Sequence, residues 1–257
     1  MKPKIIVLKT DGTNCDEETA FAFNLAGGVS EIIHVNELRQ KQKKLINYQI
    51  LAIPGGFSYG DDIVSGKILA LELTSFFAQE IQSFIQDPQR LVIGICNGFQ
   101  VLIRTGLLPF GTIGNMDATL TNNDSGRFEC RWINLRIEKN SRCVFLNNGV
   151  ISYQVAHGEG KLFAPKEAMD RIEKEKLVAF RYTDTKGNPT QKYPFNPNGS
   201  LHAIAGITDP TGRILGLMPH PERFVRVDQH PNWRRLRIDT PQGLPIFKSM
   251  ISYVKTA

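Results

Sequence analysis

The sequence predicts an α/β fold, with a mostly parallel central sheet flanked by helices and an additional small antiparallel sheet. Two observations predict it. Up to Gly106, short apolar runs rich in β-branched residues alternate with helical stretches, the pattern of strands joined by right-handed helical crossovers. After Gly106 the alternation stops, and strand-like segments follow one another between turns rich in Gly, Pro and Asn.

The first strand is Lys4–Lys9, a β-branched run. Thr13-Asn14-Cys15-Asp16-Glu17 reads as a helix start, with Thr13 and Asp16, or Asn14 and Glu17, placed to bond the free amides of a first turn. The helix over Glu17–Ala26 stops at Gly27-Gly28, where glycine can take a left-handed cap. Glu31–Val35 and Gln49–Ile53 are the second and third strands, the latter ending at Pro54-Gly55-Gly56. A helix over Lys67–Ile85 places Leu69, Leu73, Phe76, Phe77 and Ile81 on one side. Arg90–Ile95 is continuously apolar, as a strand buried on both faces should be. In the second half, Arg131–Ile137 and Gly149–Val155 read as antiparallel strands. Pro165–Lys176 reads as an exposed lysine-rich helix and Thr183–Ser200 as an irregular loop, followed by strands at Ile204–Ile207 and Arg213–Met218. No repeat or linker divides the chain, so residues 1–257 read as a single domain.

The 257 residues suffice for a substantial core. Hydrophobic residues at 41% and charged residues at 22% describe an ordinary globular protein. No apolar run approaches the roughly 20 residues needed to cross a bilayer, and Met1–Thr10 lacks a signal-peptide cleavage site. The net charge of +6 is modest and no nucleic-acid module is present, so neither a membrane nor a nucleic acid is expected as a partner. Cys15, Cys96, Cys130 and Cys143 fit no zinc spacing, and a chain of this size needs no disulfides. Reduced thiols, a cytoplasmic location and no metal site are the simplest reading. Cys130 and Cys143 are assigned to the core.

Ile93-Gly94-Ile95-Cys96-Asn97-Gly98-Phe99-Gln100 carries the most chemistry. An apolar strand ends at a cysteine, a helix begins at once, and glycines stand two residues to either side. That is the pattern of a nucleophile elbow, whose tight turn tolerates only small neighbours. The helix N-terminus favours a thiolate there. A lone cysteine is more often simply buried; the paired glycines favour a nucleophile. Its base is found in Leu217-Met218-Pro219-His220-Pro221-Glu222. His220 also follows an apolar strand, so a parallel sheet brings it to the same edge as Cys96. Glu222, two residues on in a segment held extended by prolines, can orient and charge the imidazole. By itself this would be a turn histidine beside a surface glutamate; beside the elbow it completes a triad. Pro54-Gly55-Gly56 supplies a close-approaching backbone, and the amides of Gly56 and Asn97 are the candidate oxyanion donors, although an ordinary glycine turn looks the same in sequence.

Elbow, glycine strand and late His–Pro–Glu, in that order, resemble class I glutamine amidotransferases, which implies their flavodoxin-like fold. Gly12-Thr13-Asn14-Cys15-Asp16, Pro54-Gly55-Gly56-Phe57-Ser58-Tyr59-Gly60-Asp61, Ala156-His157-Gly158-Glu159-Gly160 and Asn196-Pro197-Asn198-Gly199-Ser200 extend the likeness to the glutaminase subunits of phosphoribosylformylglycinamidine synthases. The resemblance implies that Cys96, with His220 and Glu222, hydrolyses glutamine through a γ-glutamyl thioester. Ammonia then goes to a synthetase subunit that converts formylglycinamide ribonucleotide to its amidine with ATP, in purine biosynthesis. Gln100, His157 and Gly158 match substrate-contacting positions. The chain has no Gly-x-x-x-x-Gly-Lys-Ser/Thr loop, so no cofactor is assigned to it, and ATP and magnesium fall to the synthetase. A small bridging subunit is left open. Residues 225–257 form a C-terminal extension with Arg234, Arg235 and Arg237, a candidate partner contact or a solvated basic face. Asn196–Ser200 is expected to face the partner. Cys15, at a helix start where a low pKa can arise, is assigned to packing. Two other readings stand: a glutaminase for a different acceptor, and a non-enzymatic redox or chaperone-like α/β protein with an elbow cysteine.

Overall fold

The computed structural model describes residues 2–147 and 149–256; Met1, Asn148 and Ala257, included in the single-domain reading of 1–257, lie outside the described residues. In chain order the elements of the first half are β1 (Lys4–Lys9), α1 (Asp16–Leu25), β2 (Val29–His34), α2 (Val35–Arg39), β3 (Ile50–Ile53), α3 (Lys67–Phe76), α4 (Ala78–Gln86), β4 (Leu91–Ile95) and α5 (Asn97–Arg104). The second half holds β5 (Thr119–Asn122), β6 (Glu129–Ile137), β7 (Gly149–His157), β8 (Glu159–Phe163), α6 (Lys166–Lys174), β9 (Val178–Thr183), β10 (Ile204–Thr208), β11 (Ile214–Leu217), α7 (Trp233–Leu236) and α8 (Leu244–Thr256).

Among the described residues one nine-stranded sheet runs in the order β2-β1-β3-β4-β11-β10-β9-β6-β7, and β5 pairs with β8 in a separate two-stranded sheet. From β2 to β11 the pairings are parallel. The order 2-1-3-4 followed by one more parallel strand is the flavodoxin-like arrangement. Beyond β11 the sheet continues antiparallel through β10, β9, β6 and β7. Ile5, Ile6, Val7 and Leu8 of β1 and every residue of β4 are buried, as expected for strands covered on both faces.

Several local expectations are corrected. Helix α1 is capped at Cys15 with no side-chain cap bond. Thr13 is drawn away into an antiparallel bridge with Gly56, its hydroxyl accepting from Thr10 N, while Asp16 pairs with Lys9. The helix expected over Lys67–Ile85 breaks at Phe77, whose φ of −122° and ψ of 10° leave the helical region. Cys143 is buried but Cys130 is exposed, because it faces outward from β6. Asn196, Asn198 and Ser200 turn inward instead of toward a partner. Asn196 Oδ1 accepts from the amides of Gly199 and Ser200, Asn198 Nδ2 donates to the Tyr182 hydroxyl, and Ser200 Oγ accepts from Leu162 N and donates to Gly160 O. The loop thus ties β8 to β9.

The segment 225–257 is partly core. Phe247 and Met250 of α8 are fully buried, and Phe247 meets Phe23 of α1 edge to face at 4.9 Å. Gly243 N donates to Phe224 O, and a Cβ at Gly243 would lie 1.9 Å from Pro221 O, so this segment runs directly against the turn that follows His220. Arg234, Arg235 and Arg237 stay exposed.

Packing is equally close between α5 and the sheet. A Cβ at Gly98 would stand 1.9 Å from Ile53 O, and one at Gly94 would stand 2.5 Å from Gly98 O. Gly98→Ala is therefore expected to destabilise the fold by about 3 kcal/mol, the cost of overpacking against backbone. Gly111, at φ +73° with open space around it, provides the comparison; Gly111→Ala is expected to cost only roughly 1 kcal/mol, from its left-handed backbone. Denaturant midpoints of the two variants check this, and equal shifts would refute the packing argument.

Candidate active site

Cys96 occupies the turn between β4 and α5 with φ +52° and ψ −106°, a region that non-glycine residues enter only under strain. The turn is held from both sides. Cys96 N donates to Leu217 O at 2.8 Å, and Gly94 and Gly98 let α5 close onto β3 and β4. The thiol is 5% exposed and donates to Ala156 O at 3.6 Å.

Strand β11 lies beside β4 in parallel register, Leu217 opposite Ile95, so His220 and Cys96 leave the sheet at the same edge. His220 N donates to Gln154 O at 2.8 Å. Its Nδ1 donates to Glu222 Oε1 at 2.5 Å, and both residues are buried. Glu222 does not continue an extended segment: Pro221–Phe224 is a 3₁₀ turn that folds the carboxylate back under the ring. Among the described residues His220 Nε2 has no hydrogen-bond partner. A Cβ on Gly55 would lie 2.9 Å from His220 Cε1 and 3.4 Å from Cys96 Cβ, so the imidazole and the Cys96 side chain share the space above that glycine. Burial opposes protonation of His220, but the Glu222 carboxylate, and after it Cys96, outweigh burial and hold its pKa well above the usual histidine value.

Cys15 packs behind this pair. Burial pushes its thiol up to about 11, so the low pKa that a helix start can confer is not realised. Arg223 Nη2 donates to Cys15 Sγ at 3.2 Å and Arg223 Nε to Glu18 Oε1 at 2.9 Å. Donor atoms of Cys15, Glu18, His220 and Glu222 lie within 4.8 Å of one another, yet Arg223 already engages two of these residues and the His220–Glu222 bond the other two. The cluster is a charged brace behind the His220–Glu222 pair.

The remaining candidates lie on the segments next to Cys96 and to Ala156, whose carbonyl accepts from the thiol. Gly56, at φ +131°, follows the end of β3, and Asn97 follows Cys96 at the end of β4. The Asn97 side chain locks these arms together: Oδ1 accepts from Ser58 N at 3.2 Å, while Nδ2 donates to Gln100 Oε1 at 2.9 Å and to Asp61 Oδ1 at 3.2 Å. Gln100 Nε2 donates to Glu159 O at 2.6 Å and so fixes the start of β8. His157 is buried with Nδ1 against Asn123 Oδ1 at 3.1 Å; burial, then repulsion from His220, lowers its pKa to about 3, so it stays neutral. Gly158 and Glu159 line a cleft of ≈ 580 Å³ with Phe57, Asp61, Ser65 and Arg127. Asp61 and Glu159 lie inside motifs visible in the sequence, but only the fold shows that they border one cleft.

Over residues 2–254 the chain matches the model of the CobB/CobQ-like glutamine amidotransferase domain. The chain belongs to this family. It is 46% identical to phosphoribosylformylglycinamidine synthase subunit PurQ of Dehalococcoides mccartyi, with 99% of this chain and 98% of that one covered. It is 35% identical to the PurQ subunit of Thermus thermophilus, with 96% and 97% covered. A chain in the structure of PurLQS from Thermotoga maritima superposes with a TM-score of 0.73 at 31% identity, over 98% of this chain and 99% of that chain. In a glutamine amidotransferase, a buried imidazole poised between a thiol and a carboxylate suits acyl transfer from an amide.

Glu222→Gln removes the charge that outweighs burial at His220. The expected result is a roughly 10³-fold fall in kcat for glutamine hydrolysis, with the alkaline limb of the pH profile moved to lower pH. The raised pKa also contributes stability that is full below about 6.5 and lost as pH rises through the folded value. The variant should therefore lose most stability on the acid side, as denaturation across pH will show. An unmoved alkaline limb would contradict the role of Glu222.

Proposed function

We infer that this chain is the glutaminase subunit of a phosphoribosylformylglycinamidine synthase. It hydrolyses glutamine to glutamate and ammonia, and the ammonia serves a synthetase subunit. The observation that carries the reading is the strained Cys96 elbow facing the His220–Glu222 pair, in a chain similar end to end to PurQ subunits.

The chemistry follows from the placement of the groups. His220 Nε2, whose pKa is held high, takes and keeps the proton of the Cys96 thiol, and the sulfur of this thiolate–imidazolium pair attacks the side-chain amide carbon of glutamine. The amides of Gly56 and Asn97 receive the negative oxygen of the tetrahedral adduct. His220 returns the proton to nitrogen, the C–N bond breaks and ammonia leaves. Water, deprotonated by the same imidazole, attacks the γ-glutamyl thioester; glutamate departs and the thiol is restored. Glu222 holds the imidazole in orientation and stabilises its charged form at each step. Gln100 acts by fixing Asn97 and the first residue of β8, and the neutral His157 and Gly158 form the wall beside the thiol.

The synthetase partner carries the ATP-dependent conversion of formylglycinamide ribonucleotide to formylglycinamidine ribonucleotide in purine biosynthesis, with ATP and magnesium bound there. A relative solved in PurLQS supports such an assembly. The exposed Arg234, Arg235 and Arg237 are available for a partner contact. Among the described residues no helix is long and apolar enough to cross a membrane, and the cysteines are unpaired, which suits a cytoplasmic setting. A glutaminase serving another acceptor has the same triad, but the PurQ relatives do not favour it.

Cys96→Ala, assembled with the synthetase subunit, is expected to lose glutamine hydrolysis by at least about 10³-fold. Ammonium chloride should still support amidine formation by the same complex. Assays of glutamate release and of amidine product check both halves, and glutamine hydrolysis retained by the variant would falsify the mechanism.

A further inference from the structure

A second cavity, of ≈ 380 Å³, opens between strands β6 and β7 and the segment that follows the His220 turn, and its lining includes none of Cys96, His220 and Glu222. Trp132 and Asn134 stand two residues apart on β6, and Ser152 of β7 lies opposite Asn134, so these three side chains share one face of the sheet. Residues 230–242 fold over that face. His230 rests on the Trp132 ring with 4.3 Å between centroids, and Gln242 Oε1 accepts from Ser152 N at 2.7 Å.

The cavity is rich in donors that nothing engages. His230, which lines it, is only 5% exposed, and burial lowers its pKa, so the ring is neutral. Its Nδ1 accepts from Asn232 N at 3.2 Å, which places the ring proton on Nε2. Among the described residues that N–H has no acceptor, and neither has the indole N–H of Trp132 or the amide nitrogen of Gln242. The side-chain amides of Asn134 and Asn232 are equally free. A mostly buried donor without an acceptor is costly, and a ligand that brings one removes the cost. Among the described residues no carboxylate lines the cavity. Of the acids in this segment, Asp228 pairs with Arg226 and Asp239 accepts from the Thr240 hydroxyl. Cations adjoin instead. Arg235 and Arg237 flank Leu236, itself a lining residue, and both are exposed with no ion pair or hydrogen bond among the described residues.

These features specify a ligand. Aromatic surface takes a planar ring, inward N–H groups take ring nitrogens and carbonyl oxygens, and paired arginines take a phosphate. We propose that this cavity binds a purine nucleoside monophosphate, with the base against Trp132, its acceptor edge toward His230 Nε2 and Gln242 Nε2, and the phosphate on Arg235 and Arg237. A purine carries ring-nitrogen acceptors on two edges and covers more of the indole than a pyrimidine does. Bare phosphate would leave the indole and imidazole donors unused. The volume falls within the ordinary range of small-molecule sites. The site also touches the fold near the catalytic pair: Trp132 meets Phe224, on the turn that carries Glu222, edge to face at 5.3 Å.

The test uses the full chain by itself, so that no nucleotide held by a synthetase subunit is counted. The chain has two tryptophans, Trp132 in the cavity and Trp233 next to the lining residue Asn232, so fluorescence reports occupancy and calorimetry gives Kd. AMP and GMP should quench saturably. UMP, adenosine and ribose 5-phosphate, which lack the second ring, the phosphate and the base, should each bind at least about 10-fold more weakly. Gln242→Glu keeps the oxygen that faces Ser152 N and replaces the donor by a negative charge; it should weaken AMP and GMP binding by roughly 10- to 100-fold. The double variant Arg235→Ala, Arg237→Ala should weaken them to a similar degree and leave adenosine binding unchanged. Unchanged denaturation midpoints establish that both variants stay folded. Saturable binding by neither AMP nor GMP overturns the proposal. So does an affinity unchanged in either variant, and so does ribose 5-phosphate binding as tightly as the nucleotides, the mark of a phosphate patch without a base site.

Discussion

The site depends on how closely helix α5 can approach strands β3 and β4. Only hydrogen fits at Gly98, where any side chain would meet Ile53 O, and only hydrogen fits at Gly94, beneath Gly98 O. With both glycines in place the chain must turn sharply from strand to helix at residue 96, and that turn forces Cys96 to φ +52°. The strain is of order 1–3 kcal/mol and is borne by the packing of β4 between β3 and β11. The same approach brings Asn97 over the end of β3, where its side chain takes the Ser58 amide and reaches Asp61. The Cys96 elbow, the Asn97 side-chain clamp and the Asp61 wall of the neighbouring cleft thus follow from a single steric condition.

The second half of the site is an electrostatic problem solved by secondary structure. His220 and Glu222 are removed from water, and a buried ion pair stands only if its hydrogen bonds are good. The geometry comes from two sources. Parallel pairing of β11 with β4 fixes where His220 begins, and the backbone bond to Gln154 fixes its direction. The 3₁₀ turn at Pro221–Phe224 then brings Glu222 back to Nδ1, and Gly243 packs against Pro221 O from below. The C-terminal segment, whose sequence reads as an appendage, therefore supports the turn that carries Glu222. Arg223, Cys15 and Glu18 fill the space behind with paired charge, leaving Nε2 as the free nitrogen of the ring.

What the sequence reveals and hides follows this division. Strands β1, β3 and β4 are legible because burial on both faces leaves an uninterrupted apolar run, and the elbow is legible because steric exclusion leaves glycines at fixed spacing. Contacts made by polar side chains across the fold are not. Nothing local to Asn196–Ser200 says that its amides and hydroxyl bond inward to β8 and β9, so the polar composition reads as surface. Thr13 and Asp16 have the spacing of a helix cap, but Gly56 and Lys9, distant in register or on another element, claim them first. The short strands β5 and β8 escape because their pairing is set by Gln100 and Asn123, through Glu159 O and Gly158 O, and not by any alternation of their own.

A division between rigid and adaptable parts also bears on how such an enzyme meets its substrate. Cys96, His220 and the start of α5 stand on the parallel edge of the sheet, where each backbone is bonded to a neighbouring strand. The cleft walls stand on connections instead: Tyr59, Gly60 and Asp61 in consecutive left-handed conformations after β3, and Gly126–Phe128 between β5 and β6. Phe57 and Phe128, both exposed, stack at 6.5 Å across these two connections. Their contact is the direct aromatic link between the two walls, and it is worth about 1 kcal/mol, far less than the packing under Cys96. Cys96 and His220 are thereby held by the core, while much of the cleft wall stands on connections that a small energy can rearrange. A rearrangement of those connections leaves the elbow unaltered, because Gly94 and Gly98 fix the elbow through the packing of α5 on β3 and β4.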